Sequence, residues 1–327
     1  MDRYFLRLPQ ISDLSGIKRH TLNARIKSQI NESEIERTPG NQIILRPQQT
    51  LEILKPNLNI SRGKIIFTGN LKGGVGKTTL AYLLTETLVS FGLKVCTIDL
   101  DVQANLTNQY VATNTDQNVF LDVIEKKIAI SDLPIQITDN FDLIPSSLRN
   151  SLIQKALTMQ PAQHLRNWFN NLCLNYLRKH YDVIIVDTPP HLSTLNSVFC
   201  LCLGERDNII IPVAPEEFSI LGVKMFLDDI VDIRHSFDVS EEVNIKVLMN
   251  RFFQTQKSNL EILVKMTELY GELFSEVILR DFSKIREMMN QKMSISEIKS
   301  GKEIYEFIQG LLSDIGLIKG DHDVVKT

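Results

Sequence analysis

The sequence predicts an α/β protein built on a doubly wound, mostly parallel sheet, preceded by a small helical unit. Two observations carry this. The runs Val183-Ile184-Ile185-Val186 and Ile209-Ile210-Ile211 are apolar at every position, as in strands covered by helices on both faces. Between residues 64 and 280, strand-like runs alternate with helical stretches, the order that winds a parallel sheet. The chain has 327 residues, 43% hydrophobic and 23% charged, which is enough to bury a large core.

The expected strands, in order, are Lys64–Thr68, Lys94–Asp99, Phe141–Ile144, Asp182–Asp187, Asn208–Val213, Asn244–Asn250 and Glu276–Leu279. A polar, turn-rich stretch at residues 56–63 marks a boundary, dividing the chain into residues 1–60 and 61–327. Net charge is −3 overall. Residues 1–60 hold nine Lys or Arg against six Asp or Glu, so they carry +3 and the remainder −6. A basic unit on an acidic body points to a polyanion at the N-terminal end. No apolar stretch follows Met1-Asp2-Arg3-Tyr4 as in a leader peptide, and no apolar run has the length of a membrane span. Cys96, Cys173, Cys200 and Cys202 lie in apolar segments without metal-ligand spacing and are expected as buried thiols. A cytoplasmic location is expected.

The most informative segment is Leu71-Lys72-Gly73-Gly74-Val75-Gly76-Lys77-Thr78-Thr79. It lies between an apolar strand and a helical pattern that starts at Thr78. The glycines let backbone N–H groups curl around phosphate oxygens, and the following helix directs its positive end at the same anion. Lys77 is expected on the β- and γ-phosphates and the Thr78 hydroxyl on Mg²⁺. Leu71 stands where the standard pattern has its first glycine. Two further strands end in carboxylates. One is Val95-Cys96-Thr97-Ile98-Asp99-Leu100-Asp101, the other Val183-Ile184-Ile185-Val186-Asp187, which Thr188-Pro189-Pro190 follows. Mg²⁺ needs only one or two carboxylates besides phosphate and water. Asp187 is therefore expected to hold the metal through water, and Asp101 to orient an attacking water. His191 is expected as an exposed loop side chain.

Together these segments resemble the ParA/MinD group of deviant Walker A ATPases, within the P-loop NTPase fold, and inside that group the ParA partition ATPases. Lys72 to Thr79 match the deviant Walker A box, in which Leu71 is allowed. The resemblance implies that Gly73, Gly74, Val75, Gly76, Lys77, Thr78 and Thr79 bind ATP. It makes Lys72 the signature lysine, reaching the nucleotide of a second subunit, and gives Lys77 and Asp101 catalytic roles. Thr78 and Asp187 would hold Mg²⁺, with Asp99 as a switch residue behind the metal. The segment Ile211-Pro212-Val213-Ala214-Pro215-Glu216-Glu217-Phe218-Ser219-Ile220-Leu221-Gly222 is similar to the family's stretch beside the nucleotide and dimer interface, which brings in Pro215. Asn250-Arg251 stands where the family contacts adenine. The family's Asp-Pro-Gln is Asp101-Val102-Gln103 here, without the proline that would stiffen the turn.

In the N-terminal unit, Ile11, Leu14, Ile17, Leu22 and Ile26 form an apolar face broken at Gly16, which is helix–turn–helix spacing. The second helix would present Lys18, Arg19, Thr21, Asn23, Arg25 and Lys27 to a DNA groove. Gln42–Arg46 would supply one strand of a wing. The arrangement resembles the MerR-like winged helix–turn–helix placed ahead of some plasmid ParA ATPases. Arg280, Lys284, Arg286 and Lys292 fall where the family has basic residues for non-specific DNA. A final helix from Ile304 to Leu317 carries Glu303, Glu306 and Asp314, with Asp321 and Asp323 beyond it. That acidity disfavours a membrane-surface helix.

The resemblance thus implies a Mg²⁺-dependent ATPase for plasmid or chromosome partition. It would be a homodimer in the ATP state, bound to DNA, stimulated by a ParB-like centromere-binding protein and able to repress its own operator. A MinD-like membrane-surface ATPase, a metabolic or metal-transfer relative and a nucleotide-tuned transcriptional regulator are the competing expectations.

Overall fold

The computed structural model describes residues 3–112, 117–158, 164–191, 193–280, 283–298 and 301–319. Asp321 and Asp323 lie outside the described residues. In chain order the elements are β1 (Leu6–Arg7), α1 (Leu8–Ser15), α2 (Arg19–Gln29), β2 (Glu36–Arg37), β3 (Ile43–Leu45) and α3 (Pro47–Leu54), then β4 (Lys64–Thr68), α4 (Lys77–Ser90) and β5 (Val95–Asp99). Short helices α5 (Thr107–Tyr110) and α6 (Phe120–Ile124) lead to β6 (Ile135–Thr138) and β7 (Phe141–Ile144). Helices α7 (Ile153–Leu157), α8 (Leu165–Phe169) and α9 (Asn175–His180) precede β8 (Val183–Asp187), α10 (Thr194–Cys202) and β9 (Asn208–Val213). The chain continues through α11 (Glu217–Ser236), β10 (Asn244–Phe252), α12 (Lys257–Tyr270), β11 (Leu279–Arg280), α13 (Ser283–Asn290) and α14 (Lys302–Asp314).

The chain divides into two compact units. The larger takes Ser61–Ala81 and Val95–Asp281 and contains an eight-stranded sheet of order β11-β10-β9-β4-β8-β5-β7-β6. Every pairing is parallel except β6 with β7, which is antiparallel. The runs that are apolar on both faces, β8 and β9, flank β4 at the centre, and all three strands are buried throughout. From β8 the chain crosses β4 to reach β9. Its connections therefore diverge beside the carboxyl end of β4, where a doubly wound sheet leaves a crevice for ligands. The expected strand at Glu276–Leu279 is reduced to β11, two residues long. β6 was not expected, because Ile135-Gln136-Ile137-Thr138 reads as a short mixed segment. All four cysteines are free and buried.

The smaller unit takes Met1–Ile60, Tyr82–Lys94 and Phe282–Thr327. Ile11, Leu14, Ile17, Leu22 and Ile26 are all buried there. Gly16 ends α1 in the left-handed region, at φ 72°, a conformation that glycine adopts without the Cβ penalty. β1, β3 and β2 form a small antiparallel sheet. α14 buries Ile304, Tyr305, Phe307, Ile308, Leu311 and Leu312, and the side-chain amide of Gln10 in α1 donates to Tyr305 Oη at 3.0 Å. The later part of α4 belongs to this unit. Its Glu86, fully buried, accepts from Arg3 and from Tyr4 Oη, each at 3.2 Å. Among the described residues no helix is long and apolar enough to cross a membrane.

Candidate functional site

The glycine-rich loop leaves the carboxyl end of β4 and enters α4. Thr68, the last residue of β4, pairs in register with Asp187 at the end of β8, and Asp187 pairs with Asp99 at the end of β5. Two of the expected carboxylates and the loop are therefore set in one row by the parallel register. Asp101 follows two residues beyond Asp99.

Each carboxylate has a distinct environment. Asp99 is fully buried and its oxygens are occupied. Oδ1 accepts the Asp101 N–H at 3.0 Å, and Oδ2 accepts the Thr107 N–H and hydroxyl, both at 2.8 Å. It holds the β5–α5 connection in place. Asp101 accepts the Gln103 N–H at 3.0 Å, and the Ala104 N–H donates to the Asp101 carbonyl at 2.9 Å. This side-chain-stabilised turn forms with Val102 where a proline was the family's choice. Asp187 is fully buried and hydrogen-bonds Thr78; its Oδ2 has no partner among the described residues.

Burial, reinforced by the neighbouring Asp99 carboxylate, pushes the Asp187 acid well above the usual range. Burial likewise raises Asp99 to about 6, against the lowering pull of its Thr107 and Asp101 hydrogen bonds. Lys77 is 6% exposed; burial lowers its ammonium, with Asp187 and Asp101 opposing. Three buried acids, Asp99, Asp101 and Asp187, share this end of the sheet with the buried cation of Lys77, an arrangement suited to a divalent metal. An orphaned buried carboxylate oxygen beside a threonine hydroxyl is the donor set that Mg²⁺ takes in a phosphate site, so Asp187 and Thr78 fit the metal expected of them.

The loop itself is held by intrachain contacts. Asn70 accepts the Lys72 N–H at 2.9 Å and donates to the Pro212 carbonyl at 2.7 Å, tying the loop to the end of β9. Lys77 Nζ donates to the Lys72 carbonyl at 3.0 Å. The Lys72 ammonium is ion-paired with Glu216, the residue that precedes α11. Asn250, from β10, donates to the Val75 carbonyl at 2.5 Å and accepts from the Arg251 N–H at 2.7 Å. Arg251 sits at φ 56°, where β10 and β11 shift register. Gly73 and Gly74 are exposed, and Gly76 has φ 98°. Thr79 lies on the first turn of α4. Pro215 is half-buried in the β9–α11 connection.

The structure thus brings together Lys72, Gly73, Gly74, Val75, Gly76, Lys77 and Thr78 with Asp99, Asp101, Asp187 and Asn250. His191 is exposed, as expected. The basic residues expected at DNA are placed elsewhere. Lys18, Arg19 and Lys27 are exposed, whereas Thr21 and Asn23 are half-buried. Arg25 turns inward, donating to the Ile53 carbonyl at 2.7 Å and to Asn57 Oδ1 at 2.8 Å. Arg280 ends β11 in the larger unit, and Arg286 is exposed on α13 in the smaller one. Asn70, Thr107 and Glu216 were not singled out from the sequence. Asn70 could have been noticed as a polar residue two positions after a buried strand. Glu216 falls in the stretch noted beside the nucleotide, but its role, like that of Thr107, is recognised only through its contact, with Lys72 and Asp99 respectively.

The chain is similar to known proteins in sequence and in fold. An uncharacterised protein of Methanocaldococcus jannaschii, MJECL24, is 34% identical over 221 residues, covering 64% of this chain and 81% of its own length. The virulence plasmid ParA family protein pGP5-D of Chlamydia muridarum is 30% identical over 235 residues, covering 69% of this chain and 83% of its own. Among solved structures, a variant of Cyanothece McdA in complex with ATP superimposes with a TM-score of 0.69 at 21% identity, over 79% of this chain and 98% of its own. That likeness bears on the fold. The family model described as "AAA domain" matches residues 63–247. With its phosphate loop and carboxylate row, the chain belongs to this AAA-domain family and, with the chlamydial protein, to the ParA family.

Proposed function

We propose that the protein is a Mg²⁺-dependent ATPase of the partition type, in which ATP switches association with a second copy and with DNA. The observation that carries this reading is the single site formed by Lys77, Asp101, Asp187 and the glycine-rich loop. McdA, which shares the fold, is described in complex with ATP. Mg²⁺, when bound, would neutralise phosphate charge and polarise the γ-phosphoryl group. Asp187 and Thr78 would hold it, with Asp99 fixing the strand end behind them. The N–H groups of Gly73 and Gly74, both exposed residues, and the N-terminus of α4 would cradle the phosphates. Lys77 would leave the Lys72 carbonyl for phosphate oxygens. Asp101 keeps one carboxylate oxygen for an attacking water while the other caps Gln103. Lys72 would reach the nucleotide of a second subunit. Turnover is slow until a ParB-like partner completes the site.

In the same reading, the N-terminal elements form a winged helix–turn–helix that binds operator DNA through Lys18, Arg19 and Lys27, with Thr21 and Asn23 beside them and Arg25 bracing the helix. Arg280 and Arg286 contribute to non-specific DNA binding. The protein works in the cytoplasm, on nucleoid DNA in its ATP state.

The test is retention on non-specific DNA with and without ATP. Wild type should be retained only with ATP and Mg²⁺, and Lys77→Ala should not be retained. Equal retention of both, irrespective of ATP, overturns the switch. Arg19→Ala should weaken binding to the operon's own upstream DNA without altering ATP-dependent retention, and an unchanged operator affinity overturns the helix–turn–helix role.

A further inference from the structure

The ion pair between Lys72 and Glu216 gives the loop a competitor of its own. Lys72 is anchored twice, by the end of β9 and by the residue that precedes α11. Its backbone N–H is fixed through Asn70 to the Pro212 carbonyl, and its ammonium is paired with Glu216, four residues beyond Pro212. Glu216 is in turn held in place: its N–H donates to the Ala214 carbonyl at 2.8 Å and its carbonyl accepts the Ser219 N–H at 2.9 Å, as α11 begins. The neighbouring Glu217 is paired separately, with Lys265 at 3.3 Å. Glu216 is therefore the carboxylate committed to Lys72.

One ammonium cannot pair with Glu216 and at the same time lie on the phosphates of another subunit. We propose that Glu216 is a positioning residue that clasps Lys72 within its own chain and must release it before two nucleotide-bound copies can associate. The inference rests on the reading of Lys72 as a residue that acts across a dimer, and it adds the regulation of that contact. The clasp is open to solvent, with 37% of the Lys72 side chain and 56% of the Glu216 side chain exposed. It is therefore weak enough to be exchanged for a phosphate, and it is screened by salt. Phosphate carries more charge and more acceptor oxygens than a single carboxylate, so it displaces Glu216 once a second nucleotide is within reach. Glu216 thereby raises the protein concentration at which nucleotide produces a dimer. Two clasps open per dimer, so their removal tightens association by roughly fivefold, within the range exposed pairs span.

The experiment is sedimentation velocity of the full chain over a protein dilution series, with Mg²⁺ and a non-hydrolysable ATP analogue. It compares wild type, Glu216→Gln, Glu216→Asp, Lys72→Ala and the double variant Lys72→Ala with Glu216→Gln. Glu216→Gln should shift the midpoint of association to roughly fivefold lower concentration. Glu216→Asp should fall between it and wild type, and the shift should shrink as salt is raised. Because Glu216 is exposed, Glu216→Gln and Glu216→Asp should keep the wild-type thermal midpoint and the affinity of the monomer for a fluorescent ATP analogue. In the Lys72→Ala background, Glu216→Gln should have no effect. A Glu216→Gln protein that associates like wild type or more weakly, while Lys72→Ala abolishes association, overturns the clasp and leaves the dimer role of Lys72 standing. Unimpaired association of Lys72→Ala overturns that role and the clasp with it. A gain from Glu216→Gln that persists without Lys72 also overturns the clasp.

Discussion

Replacing Gly76 with alanine tests whether the loop and β10 are locked together. At φ 98° the backbone of Gly76 lies where an L residue is strained, at a cost of about 1–3 kcal/mol. A Cβ there would overlap Asn250 Nδ2 and stand 3.3 Å from Asn250 Cγ, so the hydrogen bond from Asn250 to the Val75 carbonyl would have to break. That bond is worth about 1 kcal/mol. The expected loss is thus about 2–4 kcal/mol, measured by urea denaturation of the nucleotide-free protein. The two components separate in a double-mutant cycle. Asn250→Ala alone should cost about 1 kcal/mol. Combined with Gly76→Ala it should cost less than the sum of the single effects, because the clash and the hydrogen bond disappear together while the φ strain remains. A Gly76→Ala protein within about 0.5 kcal/mol of wild type, or strictly additive effects, would refute the reasoning.

The raised acids at the strand ends predict a pH dependence of the opposite sign to that of salt-bridged carboxylates. Asp99 holds its proton up to about 6 in the folded protein, whereas the unfolded chain releases it near 4. The folded state binds more protons between these values, so stability falls as pH rises from about 4 to about 6, by up to about 3 kcal/mol, and Asp187 extends the fall upward. Denaturation midpoints of the metal-free protein at intervals across that range check this, and a midpoint that rises with pH there refutes it. Arg25→Ala should destabilise the protein by about 1–3 kcal/mol, since Asn57 and the Ile53 carbonyl lose a charged donor, whereas Arg19→Ala should change stability by less than about 0.5 kcal/mol. Equal effects in thermal or urea melts would show that Arg25 does not brace the unit.

The central sheet was legible because strands buried on both faces leave unbroken apolar runs, and β4, β8 and β9 match their expected spans closely. β6 escaped notice because an antiparallel edge strand is half wet and mixes Ile135 and Ile137 with Gln136 and Thr138. Glu276–Leu279 misled in the reverse direction: Val277 and Ile278 read as strand, but the chain meets β10 on either side of them, at Phe274 and at Leu279 and Arg280. In the site, the loop and the aspartates were legible because their chemistry is local to a strand end. The clasp was not, since Lys72 and Glu216 are 144 residues apart and meet only through the parallel register that sets β9 beside β4. The cations of α2 show the same limit. The apolar face predicted the helix, yet nothing local distinguishes Arg25, which turns inward, from Arg19, which stays exposed.

The smaller unit is assembled from three stretches that lie far apart along the chain: the first sixty residues, a piece of α4, and the stretch that includes α13 and α14. During synthesis, α1 emerges long before α14 is made. Its Ile11 and Leu14 belong to a core that later residues complete, and Gln10 waits for Tyr305, 295 positions downstream. Contacts of such long range form late and slowly, and until they do the nascent chain exposes apolar surface. The larger unit can build its sheet from residues 61 to 281 while the smaller remains incomplete. Finishing the smaller unit is therefore the step of folding that waits longest and leaves apolar surface uncovered until it is done.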